Sequence, residues 1–240
     1  MDTDRLIDIH CHVLPGLDDG SRNMEESLSM LEIAEAEGIT DIIATPHYKE
    51  GRHNASVHTI LERMQTLQKK ADERGICVTL HPGNEIYCFE GMGDALDEGR
   101  VLTLNGTDRV LIEFSPFESY SYIRSALDSV RGMDYIPVLA HAERYECLIK
   151  HQEYVKDLKR IDTEIQVNAS SAAGAHGYPA KRFIHRLLKE QLVDYVATDA
   201  HDSQRRAPSI QKCLSFLYRK YDSDYVQKIT WENAKKMTEP

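Results

Sequence analysis

No apolar run in this 240-residue chain approaches the ~20 residues that a membrane-spanning helix needs, so no direct membrane insertion is expected. The opening Met1-Asp-Thr-Asp-Arg has neither an apolar centre nor a small-residue cleavage site, so it is not expected to be a signal peptide. Cysteine is sparse. Its five residues form an odd set with no C-x-x-C pair, the usage of reduced structural thiols, and the expected compartment is the cytoplasm. Low-complexity tracts are missing, and the 41% apolar content suffices for a core. Positive charge is also in short supply, with 29 Lys and Arg against 39 Asp and Glu and a formal charge of −10. That balance argues against a nucleic-acid partner, because a phosphate backbone needs a basic patch. The length fits one domain over residues 1–240.

Strand-like and helix-like runs alternate along the chain. Strands are expected at Leu6 to His10, Ile39 to Pro46, Ile76 to Leu80, Arg109 to Phe114, Ile136 to His141, Ile165 to Asn168 and Val193 to Thr198. Ser21 or Asn23 is placed to cap a first helix ending at Gly38, and a long amphipathic helix ends at Gly75. Further helical patterns cover Tyr122 to Val130, Tyr145 to Ile161, Ala180 to Gln191 and Ile210 to Tyr221, with a short one after Asp224. Gly91 to Thr107 is irregular, with room for one helical turn. Strand ends recur about every 30 residues, the size of one βα unit. This is an α/β chain with a mostly parallel sheet.

Metal-type side chains stand at the ends of those strands. His10 and His12 close the first, with Asp19 just behind; His47, Glu85, Glu113 and His141 follow at successive ends, then Asp199 and His201. Strand ends converge on one face of a closed barrel, whereas an open sheet feeds its site from few loops. Six occupied ends out of seven therefore predict closure. His10 and His12 are two apart on extended backbone and point to one side, so they can share an ion. Glu85 and Glu113 each end an apolar run, where a buried carboxylate needs a cation; an Arg or Lys ion pair is the alternative. Oxygen ligands mixed with imidazole suit Mn, Zn or Fe. Such a cluster activates water and clamps a displacement reaction. Arg144, and Arg205 or Arg206, stand just past His141 and His201, where a guanidinium fork would grip a phosphate. The remaining histidines (53, 58, 81, 151, 176 and 185) are given no chemistry. Cys213 to Arg219 matches the C-x5-R spacing of cysteine phosphatases, but no glycine intervenes and the stretch reads as helix. Cys213 is expected in the core.

Asp8-Ile-His-Cys-His12, Asp18-Asp-Gly20, Thr45-Pro-His47, Gly83-Asn-Glu85, Leu111-Ile-Glu-Phe114, Ala140-His-Ala-Glu-Arg144 and Ala197-Thr-Asp-Ala-His201 resemble the polymerase-and-histidinol-phosphatase (PHP) superfamily. They are most similar to its bacterial manganese-dependent protein-tyrosine phosphatases of capsule and exopolysaccharide gene clusters. The resemblance runs in order from Ile7 to about Arg206. It implies the PHP fold, a distorted seven-stranded (β/α) TIM-like barrel, with a three-metal cluster of Mn2+. It further implies a first site of His10, His12, Glu85 and Asp199, and a second in which Glu85 bridges to Glu113 and His141. A third comprises Asp19, His47 and His201. Arg144 and Arg206 resemble the phosphate-binding arginines, and Asp19 joins them among the catalytic residues. The implied partner is a phosphotyrosine protein, a membrane-associated bacterial tyrosine kinase that controls polysaccharide length and export. Ala142 replaces the usual proline, which predicts a less rigid loop carrying Arg144, and Asn168 to Ser171 is matched to no family role. The alternatives are a small-molecule phosphatase acting on histidinol phosphate, a polymerase-associated exonuclease, which the acidic charge disfavours, and a non-catalytic scaffold that binds a kinase.

Overall fold

Caps and glycines fix the helix boundaries much as the pattern predicts. In the computed structural model, which describes residues 5–238, Asn23 rather than Ser21 caps the first helix, Met24–Ala36, by accepting from the Glu26 amide at 3.1 Å. Gly38 and Gly75 follow the first two helices with φ of +83° and +74°, where a side chain would be strained. The signal-peptide reading of Met1 to Asp4 lies outside the described residues.

Among the described residues nine strands appear: β1 (Leu6–Cys11), β2 (Ile39–Ala44), β3 (His47–Tyr48), β4 (Thr79–Pro82), β5 (Glu85–Tyr87), β6 (Arg109–Glu113), β7 (Ile136–Leu139), β8 (Glu164–Asn168) and β9 (Tyr195–Ala197). Every pairing is parallel. They form a three-stranded sheet, β1-β2-β4, and a six-stranded sheet, β3-β5-β6-β7-β8-β9. The class is α/β as expected, but the seven expected strands are not seven continuous ones. The second breaks at Pro46 into β2 and β3, since proline has no N–H for the ladder. The third starts later than expected, at Thr79, and breaks at Gly83 before β5. Asn84 repairs both breaks: its Nδ2 donates to the Pro46 carbonyl at 2.8 Å and its Oδ1 accepts from the Leu102 amide at 2.9 Å.

The sheets curl. β1 meets the segment after β9 through His12 N to Ala200 O and Asp199 N to His10 O, both 2.8 Å. One apolar cluster, including Ile7, Ile9, Ile43, Leu111 and Val138, lies apart from the larger cluster that joins strands to helices, and Ala234 and Met237 of the last helix belong to it. At the start of β6, Arg109 donates to Glu164 (3.0 Å) and to Tyr195 (3.2 Å), and Tyr195 donates to Glu164 (2.6 Å). The remaining differences are local. The single helix expected over Tyr145 to Ile161 is two, Glu146–Lys150 and Glu153–Arg160, because His151 takes non-helical backbone (φ −131°, ψ 75°). Gly91 to Thr107 holds a helix, Met92–Asp97, and a 3-10 turn, Leu104–Gly106. A further helix, Ala169–Ala173, follows β8 directly.

Candidate metal centre

The curl brings together the side chains at the strand ends. Register slips between Asp8 and Cys11, where three steps along β1 match two along β2, and such a bulge re-aims the residues it carries. His10 and His12 then turn their Nε2 atoms to within 3.2 Å of each other, both rings buried. Glu85, at the start of β5, is the hub. Its Oε2 lies 3.1 Å from His10 Nε2, 3.2 Å from His12 Nε2 and 3.0 Å from His47 Nδ1, and its Oε1 lies 2.8 Å from His141 Nε2. Glu113 reaches His47 at 3.4 Å and His141 at 3.7 Å. Asp19 stands 3.4 Å from His47 and 3.6 Å from His201. Asp199 Oδ1 is 3.5 Å from His10, 3.6 Å from His12 and 3.5 Å from His201. All nine residues singled out as ligands thus stand in one contiguous group.

Three sets have donor atoms within 4.8 Å of one another and could hold an ion: His12 with Asp19, His47 and His201; His10 with His12 and Glu85; His47 with Glu85 and Glu113. The grouping departs in three places from the sets that the resemblance implies: His12 also joins the outer set, His47 takes the place of His141 beside Glu113, and Asp199 falls in none of the three.

The chemistry of this donor set fits divalent ions. Glu85 Oε2 is buried without a hydrogen-bond partner, although three ring nitrogens surround it. They approach without hydrogen-bond geometry, as ligands around a shared centre do. Burial, reinforced by the Glu85 charge, pushes the Glu113 carboxyl up to about 7, so negative charge is in surplus. Burial alone would push the His10 imidazole down, yet Glu85 and Asp199 carry it above its ordinary value. Burial, helped by the neighbouring His12, drives His201 down to about 3 and keeps it a neutral ligand.

A second layer orients the first, and the sequence reading assigned it no role. Asp18 accepts from His12 Nδ1 at 2.7 Å, the His47 amide at 2.9 Å and the Gly20 amide at 2.9 Å. Burial would raise its carboxyl, but the His12 bond wins and lowers it to about 2. Gln166 Oε1 takes His10 Nδ1 at 3.2 Å and the His141 amide at 2.6 Å, and its amide passes on to Asn168, which donates to Asp199 at 2.8 Å. Asp8 is buried against Thr198, whose amide it accepts at 3.0 Å. Partners of this kind fix ring tautomers and ligand orientation. Gly20 is dictated by space: a Cβ there would meet the His12 carbonyl at 2.3 Å.

Two of the candidate ligands sit on strained backbone, His141 with φ +33° and Asp199 with φ +52°. Ala142 is buried in a 3-10 turn closed by Arg144 N to His141 O at 2.9 Å. Both phosphate-gripping candidates lean on Asp199: Arg144 through Nη2 to Oδ2, and Arg206 through Nη2 to Oδ1 at 3.0 Å. They do not pair with Glu143, which is buried and accepts from the Asn168 amide, or with Asp202, which accepts the amides of residues 204 to 206. Arg205 engages Asp202 through its backbone amide. A cleft of about 390 Å³ opens over this group, lined by Arg144, Asn168, Ser170, His176, Asp199 and Arg206. Cys213 is remote in chemistry as well as place. It lies inside the helix Gln211–Lys220, and burial pushes its thiol up to about 12, so no thiolate is available.

Residues 6–239 match the family model described as capsular polysaccharide synthesis, CpsB/CapC. The chain is 33% identical over 230 residues to the tyrosine-protein phosphatase YwqE of Bacillus subtilis (strain 168), covering 95% of this chain and 90% of that protein. It is 31% identical over 234 residues to the tyrosine-protein phosphatase CpsB of Streptococcus agalactiae serotype V, covering 95% and 96%. Among solved structures, one from a report of YwqE from Bacillus subtilis and CpsB from Streptococcus pneumoniae as unique metal-dependent tyrosine phosphatases has a TM-score of 0.87. Its sequence identity is 32%, over 92% of this chain and 90% of that one.

Proposed function

This chain belongs to the CpsB/CapC family of capsular polysaccharide synthesis, and from that premise we propose that it is a metal-dependent phosphotyrosine-protein phosphatase. The observation that carries the reading is the pairing of Glu85, ringed by His10, His12, His47 and His141, with two arginines on one cleft wall. We read the two sheets as one distorted seven-stranded barrel, with β2/β3 and β4/β5 as interrupted single strands and the whole chain as one PHP-type domain. The ligand set we propose is His10, His12, Asp19, His47, Glu85, Glu113, His141, Asp199 and His201, holding three Mn2+. The substrate we propose is a bacterial tyrosine kinase of capsule or exopolysaccharide synthesis, met in the cytoplasm.

When bound, divalent ions bring the pKa of a water toward neutrality and draw charge from phosphoryl oxygens. The chain supplies position. Arg144 spends its Nη2 on Asp199 and lines the cleft with its side chain partly exposed, so its fork keeps donors for a phosphoryl oxygen there. Arg206, two-fifths exposed, reaches the same carboxylate from the cleft rim and faces the incoming group. Asn168 and Gln166 hold Asp199 and His10 in place while the phosphate is seated. Asp18 keeps the His12 proton on Nδ1, leaving Nε2 free to bind. Tyrosine is a good leaving group, with a pKa of about 10, so orientation matters more than a strong general acid.

The test is turnover of a phosphotyrosine peptide and of histidinol phosphate by the same preparation, before and after metal removal. Chelator should abolish peptide turnover and Mn2+ should restore it. Preference for histidinol phosphate, or turnover indifferent to metal, would overturn the reading.

A further inference from the structure

Basic side chains are scarce in this acidic chain, yet seven of them gather on one flank. A groove of about 650 Å³ runs beside the helix Gly177–Lys189, and its wall carries Tyr178, Lys181, Arg182, Arg186, Lys189 and Lys220. An adjoining hollow shares Lys181 and adds Lys212 and Arg219. Among the described residues, none of these seven cations is within ion-pair distance of a carboxylate. Arg186 donates to Gln152 at 3.3 Å, Lys181 to the Ala173 carbonyl at 3.4 Å, and Lys181 and Lys220 lie over the Phe216 ring. The one carboxylate on the groove wall, Asp222, is occupied in accepting the amides of Asp224 and Tyr225. The apolar residues of this helix, Phe183, Ile184, Leu187 and Leu188, are buried, so the cations cover the core and keep their charges available to an outside partner.

One short stretch of chain lines both the groove and the cleft over Asp199. His176 lines the cleft over Asp199, and Tyr178, two residues on and 73% exposed, lines the groove. We propose that this groove is a docking site for an acidic polypeptide segment of the substrate, which enters it while its phosphotyrosine occupies the Arg144–Arg206 cleft. The inference rests on the phosphatase reading given above. Charge complementarity selects the occupant, and Tyr178 offers a face on which a chain can lie. An anionic membrane is the less suited partner, because the surface is concave and, Tyr178 apart, the large apolar side chains of this helix are buried rather than free to insert.

The test uses Arg182→Ala, Arg186→Ala and Lys189→Ala combined, all three exposed in the full-length metal-loaded protein. Phosphotyrosine peptides flanked by Asp and Glu, on either side, are compared with peptides flanked by Asn and Gln, and with a small aryl phosphate. The unmodified protein should favour the acidic peptide about tenfold through KM, about 1.4 kcal/mol, as three exposed contacts of about twofold each would give. The triple variant and 0.5 M salt should each erase that preference, with aryl phosphate turnover unchanged. Equal use of both peptides by the unmodified protein would overturn the groove assignment while leaving the phosphatase reading intact. So would capture by phosphatidylserine vesicles without any peptide preference. If no phosphate is released from any substrate, the phosphatase reading fails instead. The groove is then judged by anisotropy of an unphosphorylated acidic peptide: binding lost in the triple variant supports it, and no binding refutes it.

Discussion

Replacing Asp18 by alanine should damage metal binding although Asp18 belongs to none of the three ion-holding sets. Its carboxylate is nearly enclosed and accepts from three donors, the His12 ring and the amides of His47 and Gly20. The first bond involves a charged group and is worth about 1.5–3 kcal/mol, and stranding each buried amide costs about 1–3 kcal/mol more. These losses overlap, because the loop can relax, so the expected drop in folding stability is about 3–5 kcal/mol, the cost of breaking a buried pair. Freed from Asp18, the His12 ring can rotate and carry its proton on either nitrogen, and loss of such an orienting partner typically weakens metal affinity about 10–100-fold. Asp18→Asn separates the two effects. The amide oxygen can still accept on one side while its NH2 faces a donor on the other, so stability should return only in part, and without the carboxylate charge the ring stays a poorer ligand. Denaturant unfolding of the metal-free protein gives the first quantity, and calorimetric Mn2+ titration the second. An Asp18→Ala protein that melts and binds metal like the parent would refute the argument from its first step.

Arg144→Ala and Arg206→Ala should each lower kcat/KM about ten- to a hundredfold, as expected for a charge-assisted contact of about 1.5–3 kcal/mol, and since Asn168 and the other arginine still hold Asp199, elemental analysis after loading at saturating Mn2+ should find the metal content retained. Lysine at either position should restore little, since one ammonium cannot reproduce a fork, and parental kinetics in both alanine variants would remove the phosphate site. Cys213→Ser should retain full activity, as expected for a thiol held protonated far above neutrality; loss of turnover in a still-folded protein would overturn the metal mechanism. Gly20→Ala should fold less stably and bind Mn2+ weakly, because its Cβ would press on the His12 carbonyl and Cβ at 2.3 and 2.4 Å; a normal titration would show that the loop yields freely.

The strand ends were legible because each is an apolar run stopped by a polar residue, and that local pattern survives folding. His10, His47, Glu85, Glu113, His141 and Asp199 were found this way. What was not legible depends on partners distant in sequence. Gln166 matters because it faces His10, 156 residues away, and Asp18 because the His47 amide points at it across 29. A glutamine between Ile165 and Val167 could have raised suspicion as a polar residue amid an apolar strand. The late start of β4 follows from pairing with β2: Asp41 to Ala44 align with Thr79 to Pro82, and register overrode the local preference of Ile76 and Val78. The basic groove escaped notice because its cations come from helices about 30 residues apart, diluted in an acidic total.

The left-handed backbone at His141 and Asp199 has a consequence for anyone who would harden this protein against heat. Each such residue stores on the order of 1–3 kcal/mol, and glycine adopts that conformation without the steric penalty. A search scored on melting temperature alone would thus be drawn to glycine at two of the positions proposed to hold metal, and would report success. On that proposal the more robust variants it returned would be inert. Thermostabilisation should therefore hold both positions fixed and seek its gains on the outer helices, where durability and turnover do not compete.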